Sequence, residues 1–180
     1  MHFDKGSFLT LDLEDFSHDL SRSLKLKNLK TRFPAIKKAT DRFLDIVATQ
    51  KGSKNSTVFT TAQVARDHPE LIYNLSSQGN EIGCHGFFHD NIFSMEKGEF
   101  GKSLDLAIDV ISKASEQEVL GFRAPKFSIR PNDIWAYEEI SKRFKYDSSY
   151  IKSEDDINPN QSFEMNFENS KLIELPVFSS

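Results

Sequence analysis

The sequence holds a single cysteine, Cys84, among 180 residues. No internal disulfide can form, so the fold does not depend on oxidation. Long apolar runs are absent as well: none approaches the roughly 20 residues that span a bilayer. The opening Met-His-Phe-Asp-Lys-Gly lacks the charged and apolar blocks of a signal peptide, and a cytoplasmic protein is the expectation. Nor is there an excess of positive charge. Lys and Arg number 23 against 27 Asp and Glu, a formal net charge of −4. That balance argues against nucleic acid as the main partner, because phosphate neutralisation needs a basic surface. The stretch from Lys25 to Lys38 is basic without an acid and reads as a solvated helical face after a basic loop. Tryptophan occurs once whereas phenylalanine occurs 16 times, which favours a core built on Phe packing. The length suits a single domain, residues 1–180, with a continuous core.

Strand-favouring runs recur at residues 7–13, 56–60, 81–84, 119–122, 146–147 and 172–177. Helical patterns lie between them. Phe33, Ile36, Phe43 and Val47 share one stripe, with Pro34 near the start and an end before Gly52. Thr61 or Asp67 can cap a helix that runs through Leu71 and Leu75 and stops at Gly79. Residues 96–114 place Phe100, Leu104, Ala107, Ile108 and Ile111 on one face. Residues 131–144 turn Trp135, Ile140 and Phe144 inward behind Pro131. Residues 152–170 are acidic and Asn-rich and read as a surface loop. Alternating strands and helices imply right-handed crossovers and a parallel sheet, as a (β/α) barrel or an open doubly wound sheet.

Polar residues gather at the strand ends. Asp12, Glu14, His85, His89, Arg123 and Asp147 all fall at or just after the C-terminal ends of expected strands, where sites assemble in both architectures. His85 and His89 stand at i, i+4, and on one helical turn both imidazoles would reach one metal ion. The cluster Asp12-Leu-Glu-Asp15 offers oxygen. Two His and a carboxylate are a common ligand set for a catalytic metal with an open position. Cys84 points away from His85 by strand alternation and reads as a core residue.

Taken in order, several stretches resemble the polysaccharide deacetylases, the NodB-homology, carbohydrate esterase family 4-like group. They are Leu9-Thr-Leu-Asp-Leu-Glu-Asp15, Ser56-Thr-Val-Phe59, His68-Pro-Glu-Leu71, Gly79-Asn-Glu-Ile-Gly-Cys-His-Gly-Phe-Phe-His89, Gly121-Phe-Arg-Ala-Pro-Lys-Phe-Ser128 and Tyr146-Asp-Ser-Ser149. The Asp-x-Glu-Asp form and the Arg-Ala-Pro-x-Phe-Ser stretch are most similar to a subgroup associated with bacterial surface-polysaccharide biosynthesis. The resemblance implies an α/β fold, an irregular or incomplete (β/α) barrel. It implies a metal-dependent hydrolase that removes acetyl from an N-acetylated sugar of a surface glycan or its precursor. By the same resemblance His85 and His89 are metal ligands and Asp12 is the general base. Arg123 would hold Asp12 in place and keep it ionised, and the metal and a backbone N–H would stabilise the oxyanion. Zn²⁺ suits the ligand set, with Co²⁺, Ni²⁺ and Fe²⁺ as competitors. The third ligand is Glu14 or Asp15. Glu14 shares a strand face with Asp12, whereas Asp15 reaches the site only if the strand has already turned.

The chain departs from the family pattern at one point. A late Leu-x-His normally protonates the leaving amine, but no histidine follows His89, and the chain stops at Ser180 soon after Leu172-Ile-Glu-Leu-Pro176. The domain is therefore expected to be short at its C-terminal end. His18, on the loop expected above the site, is the candidate replacement acid. Two other functions compete: a catalytically silent relative that binds glycan or partner proteins, and an amidohydrolase for a non-sugar amide. An incomplete barrel would also leave edges that a second copy of the chain could cover, giving a homo-oligomer.

Overall fold

The computed structural model describes residues 9–25, 33–49, 56–130, 132–152 and 162–178. The chain begins with β1 (Thr10–Leu13), α1 (Phe16–Ser23), α2 (Phe33–Thr49), β2 (Thr57–Thr60), α3 (Ala62–Asp67), α4 (Pro69–Ser77) and β3 (Glu81–Cys84). It continues through α5 (Lys97–Ser115), β4 (Gly121–Phe122), α6 (Ile134–Ser141), β5 (Tyr146–Asp147), β6 (Ile151–Lys152), β7 (Phe163–Asn166), β8 (Lys171–Glu174) and β9 (Val177–Phe178). Short 3₁₀ turns lie at Ile92–Ser94 and Pro125–Phe127.

The main sheet has seven strands in the order β1-β2-β3-β4-β5-β8-β7, and a separate parallel pair joins β6 to β9. All ladders of the main sheet are parallel except β7 with β8. From β1 to β5 each strand lies beside the next, without the order reversal of a doubly wound sheet. Crossovers of one hand then stack the helices on one side, and the sheet curls as an irregular barrel that is not closed.

Register decides what reaches the rim. One row of Cα partners runs Leu13, Thr60, Cys84, Phe122, Asp147 and Glu174 across six strands. The next residue of each strand is Glu14, Thr61, His85, Arg123, Ser148 and Leu175, so these form one row at the C-terminal rim. Side chains alternate along a strand, and the rim row faces the same side as Asp12, Phe59, Gly83, Gly121 and Tyr146. The two glycines make room there. A Cβ on Gly83 would stand 2.6 Å from Cδ1 of Phe59, and one on Gly121 would stand 2.1 Å from Cζ of Tyr146. The two rings meet edge-on, with centroids 6.3 Å apart, and fill the inside of the sheet. On the other face Val58, Ile82, Cys84 and Phe122 are buried against the helices. Helix α5 supplies Phe100, Leu104, Ala107 and Ile111 to that core, each fully buried Leu or Phe stabilising the fold by about 1.5–3 kcal/mol.

Local chemistry sets the element ends. Thr61 caps α3 by accepting the N–H of Val64 at 3.3 Å. Pro69 disfavours helical backbone at His68 (φ −139°, ψ 57°), so the helix expected through Leu75 is two helices. It then opens α4 at a first-turn position, where a missing N–H costs nothing. The segment 172–177 likewise divides into β8 and β9 around Pro176, which has no ladder donor. Residues 152–170 contain a strand, β7, rather than only a loop. Of the basic stretch, Lys37 and Lys38 lie exposed on α2, while residues 26–32 fall outside the described residues.

Candidate metal and catalytic centre

At the rim of β1 and β3 the side chains of Glu14, His85 and His89 converge. One ligand atom from each lies within 4.8 Å of the others, and no second such group of three occurs among the described residues. The histidines do not sit on a helical turn as their spacing suggested. His85 extends β3, Gly86 turns the chain at φ +80°, and His89 follows in a bend. A side chain at Gly86 would be strained, and its Cβ would stand 3.0 Å from the Phe88 carbonyl oxygen. The turn brings the two rings to 5.4 Å between centroids.

Each ring is oriented through its other nitrogen. His85 Nδ1 lies 2.8 Å from the carbonyl oxygen of Arg123. A carbonyl only accepts, so Nδ1 carries the proton and Nε2 offers its lone pair. Burial pushes His85 below the usual histidine range, and the Asp12 charge offsets that only in part. It offers a neutral nitrogen. His89 Nδ1 lies 2.7 Å from Oδ2 of Asp19, and its Nε2 lies 2.5 Å from Oε2 of Glu14. Burial works against the charged form of His89, yet hydrogen bonds to Glu14 and Asp19 outweigh it and raise the ring above its ordinary value. The donor set fits a divalent cation: two Nε2 atoms and one carboxylate oxygen, with a carboxylate and a carbonyl fixing the rings from behind.

Beside this group lies a buried guanidinium. Arg123 is 4% exposed. Its Nη1 donates to Asp12 Oδ1 at 2.8 Å and to Thr10 Oγ1 at 2.9 Å. Its Nε donates to the Ser148 carbonyl at 3.0 Å, and its Nη2 donates to Ser148 Oγ at 2.8 Å. The charge also lies 4.3 Å from the centroid of the Phe59 ring. Asp12 is thus held at one oxygen while its side chain stays 29% exposed at the rim.

Two expected site residues are placed elsewhere. Asp15 caps α1, its Oδ1 accepting the N–H of Ser17 at 2.8 Å, because the chain turns into a helix directly after Glu14. Glu14, not Asp15, stands beside the histidines. His18 lies on that helix instead of a loop, buried, with Nε2 3.0 Å from Oδ2 of Asp67 at ion-pair distance but off the angle of a hydrogen bond. Its ring is committed to α3 and joins neither Asp12 nor the histidine pair. Sequence reasoning missed Asp19. The signal was present: an Asp cap at 15, an acid in the first turn and Arg22 in the last mark a short helix whose residues 15 and 19 share a face. Arg22 holds Asp19 at 2.5 Å and lies 5.0 Å from the centroid of the Phe88 ring.

The polysaccharide deacetylase family model matches residues 3–144, and the chain belongs to that family. Among curated relatives, it is 28% identical over 88 residues to the peptidoglycan-N-acetylmuramic acid deacetylase PdaA of Bacillus subtilis (strain 168), a match covering 48% of this chain and 33% of PdaA. A polysaccharide deacetylase candidate from Mycobacterium smegmatis shares the fold with a TM-score of 0.73 at 19% identity, over 98% of this chain and 61% of that one. So does a CE4 family pseudoenzyme from Bacillus anthracis, with a TM-score of 0.55 at 17% identity, over 75% and 39%. The chain spans about a third of the curated relative and about three fifths of the first of these structures.

Proposed function

We propose that this chain is a metal-dependent amide hydrolase that removes acetyl from an N-acetylated sugar of a surface glycan or its precursor. The observation that carries the reading is the meeting of Glu14, His85 and His89 within 4.8 Å, beside an Asp12 held by a buried Arg123. When bound, a divalent metal, Zn²⁺ by the ligand types, supplies Lewis acidity toward the amide carbonyl and toward water. The rest is the work of the chain's own residues. His85 presents neutral nitrogen from a fixed ring, His89 would do the same on giving up its Nε2 proton to metal binding, and Glu14 supplies negative charge. Asp12, anchored through Oδ1, takes the proton of the attacking water. With His18 engaged by Asp67, we assign to Asp12 the return of that proton to the departing amine. Arg123 keeps Asp12 from swinging toward the metal ligands.

The test is acetate release from N-acetylated sugars and glycan fragments by chelator-stripped protein given back one metal at a time. Asp12→Asn should lose about 10²–10⁴-fold in turnover, the range of general acid–base catalysis, with metal affinity retained. A second reading, a silent glycan-binding relative, is favoured by one observation: His18 is held against Asp67, apart from Asp12 and the histidine pair. Stoichiometric metal without acetate release on any acceptor would decide for it. Release of ammonia or a carboxylate from a non-sugar amide would point to a different amidohydrolase.

A further inference from the structure

Strands β5 and β8 end in a feature the site chemistry does not use. Asp147 and Glu174 are register partners on these adjacent strands, and both are fully buried. They face the helix side of the sheet, away from the rim. Two ionised carboxylates opposite each other in a core repel with no water to screen them. The hydrogen bonds show which one is charged. Asp147 acts as an acceptor at both oxygens: Oδ1 takes the Ser149 hydroxyl at 2.7 Å and Oδ2 takes the Ser149 N–H at 3.1 Å. Glu174 Oε1 takes the N–H of Tyr150 at 3.0 Å, whereas its Oε2 is buried and meets no donor. The register sets the two carboxyls side by side on neighbouring strands. A buried carboxyl oxygen without a donor, in a group beside a carboxylate, is the place of an O–H.

We propose that Glu174 is a buried neutral acid whose Oε2–H donates to ionised Asp147, and that this pair is a buttress positioning Arg123. The route is short. Asp147 fixes Ser149, whose Oγ accepts the N–H of Ala124, the residue after Arg123, at 2.8 Å. Ser148 offers its carbonyl and hydroxyl oxygens to the guanidinium and donates its own O–H to the carbonyl of Leu175, next to Glu174, at 2.8 Å. Glu174 holds Tyr150 on the far side. Residues 147–150 are thus pinned at both ends around the atoms that grip Arg123.

The charged and titratable groups facing the pair are Arg123 from the end of β4, Tyr150 after β5 and Tyr137 from α6, which itself faces Asp133. Burial raises Glu174 to about 11, with the Asp147 charge adding to it. Burial also raises Asp147, against the pull of the Glu174 and Ser149 hydrogen bonds. The folded chain therefore holds a proton that the unfolded chain releases near the ordinary glutamic range. Stability from this group is full below that range and falls as pH rises toward the folded value.

The shared proton is independent of the deacetylase reading; only the role of Asp12 downstream of Arg123 rests on it. The test therefore needs no activity. Glu174→Gln keeps a donor for Asp147 and an acceptor for Tyr150, whereas Asp147→Asn loses one of two acceptors. Unfolding midpoints from pH 5 to 9 should fall with pH in the wild type relative to Glu174→Gln. The infrared carbonyl band of a protonated carboxyl should vanish in that variant. The Arg123 Nε–H resonance should stay in place in Glu174→Gln and shift in Asp147→Asn. Equal pH slopes with no band lost would show Glu174 ionised and overturn the proposal. An Arg123 resonance unmoved in Asp147→Asn would overturn the buttress.

Discussion

Replacing Asp19 by alanine tests whether helix α1 belongs to the metal centre. Asp19 Oδ2 holds the Nδ1–H of His89 at 2.7 Å and Oδ1 is held by Arg22 at 2.5 Å, so the carboxylate is gripped from both sides. Without it the His89 ring loses both its orientation and the partner that fixes its tautomer. Removal of such an outer partner costs about 10–100-fold in metal affinity, which is about 1.4–2.7 kcal/mol. Asp19 is 28% exposed on its side chain, so solvent screens part of the interaction and the lower half of that range is expected. Asp19→Asn should recover part of the loss, because the amide oxygen can still accept from Nδ1. The assay is a competitive titration of stripped protein against a chelating dye, with Zn²⁺ and Co²⁺. Glu14→Ala serves as the loss-of-ligand control. Wild-type affinity in Asp19→Ala beside clear loss in Glu14→Ala would refute the orienting role. Unchanged affinity in His89→Ala would refute the metal centre itself.

Arg123→Met should cost about 3–5 kcal/mol in urea unfolding, since it strands Asp12 and the Ser148 acceptors around an apolar stem; a loss below about 1 kcal/mol would show that water replaces the guanidinium freely. Gly121→Ala drives a methyl into the Tyr146 ring and should destabilise by about 1–3 kcal/mol or more, whereas Gly98→Ala in α5, with nothing within 4 Å, should stabilise by about 0.5–1 kcal/mol. Equal effects would mean the inside of the sheet yields to the methyl. Cys84 is fully buried and burial pushes its thiol up to about 12, so alkylation should proceed only at the rate of unfolding. Fast labelling of native protein would contradict its place in the core.

Much of this was legible because strong local signals agreed with the tertiary arrangement. β3 is bounded by Gly79 and the Gly86 turn, and α5 by a clean apolar stripe, and both fall within a residue or two of expectation. The rim residues were visible as polar groups after strands, since register carries Glu14, His85 and Arg123 to one row. The conformation around the histidines was not legible. A spacing of four suits a helix, but Gly86 lets an irregular turn do the same work. Helix α1 was missed because its eight residues are largely polar, and its stability comes from the Asp15 cap and contacts to His89 and Asp67 rather than from a hydrophobic face. β7 was hidden in a polar stretch because it lies on the sheet edge with little to bury. The Glu174 acid was invisible for a different reason: only pairing β5 with β8 places it opposite Asp147.

The strand that carries Asp12 stands at an edge of the main sheet, and Glu14 follows it directly. Among the described residues β1 pairs with β2 alone, so its outer edge has no ladder to protect it. Amide exchange should find β1 opening below the free energy that releases β2 and β3. A cation bound by Glu14, His85 and His89 would tie that edge to β3, and any such ligand would stabilise the closed form by about 4 kcal/mol at a thousand times its Kd. Attachment of the first strand and assembly of the reactive groups would then be one equilibrium, and loading the centre would close both.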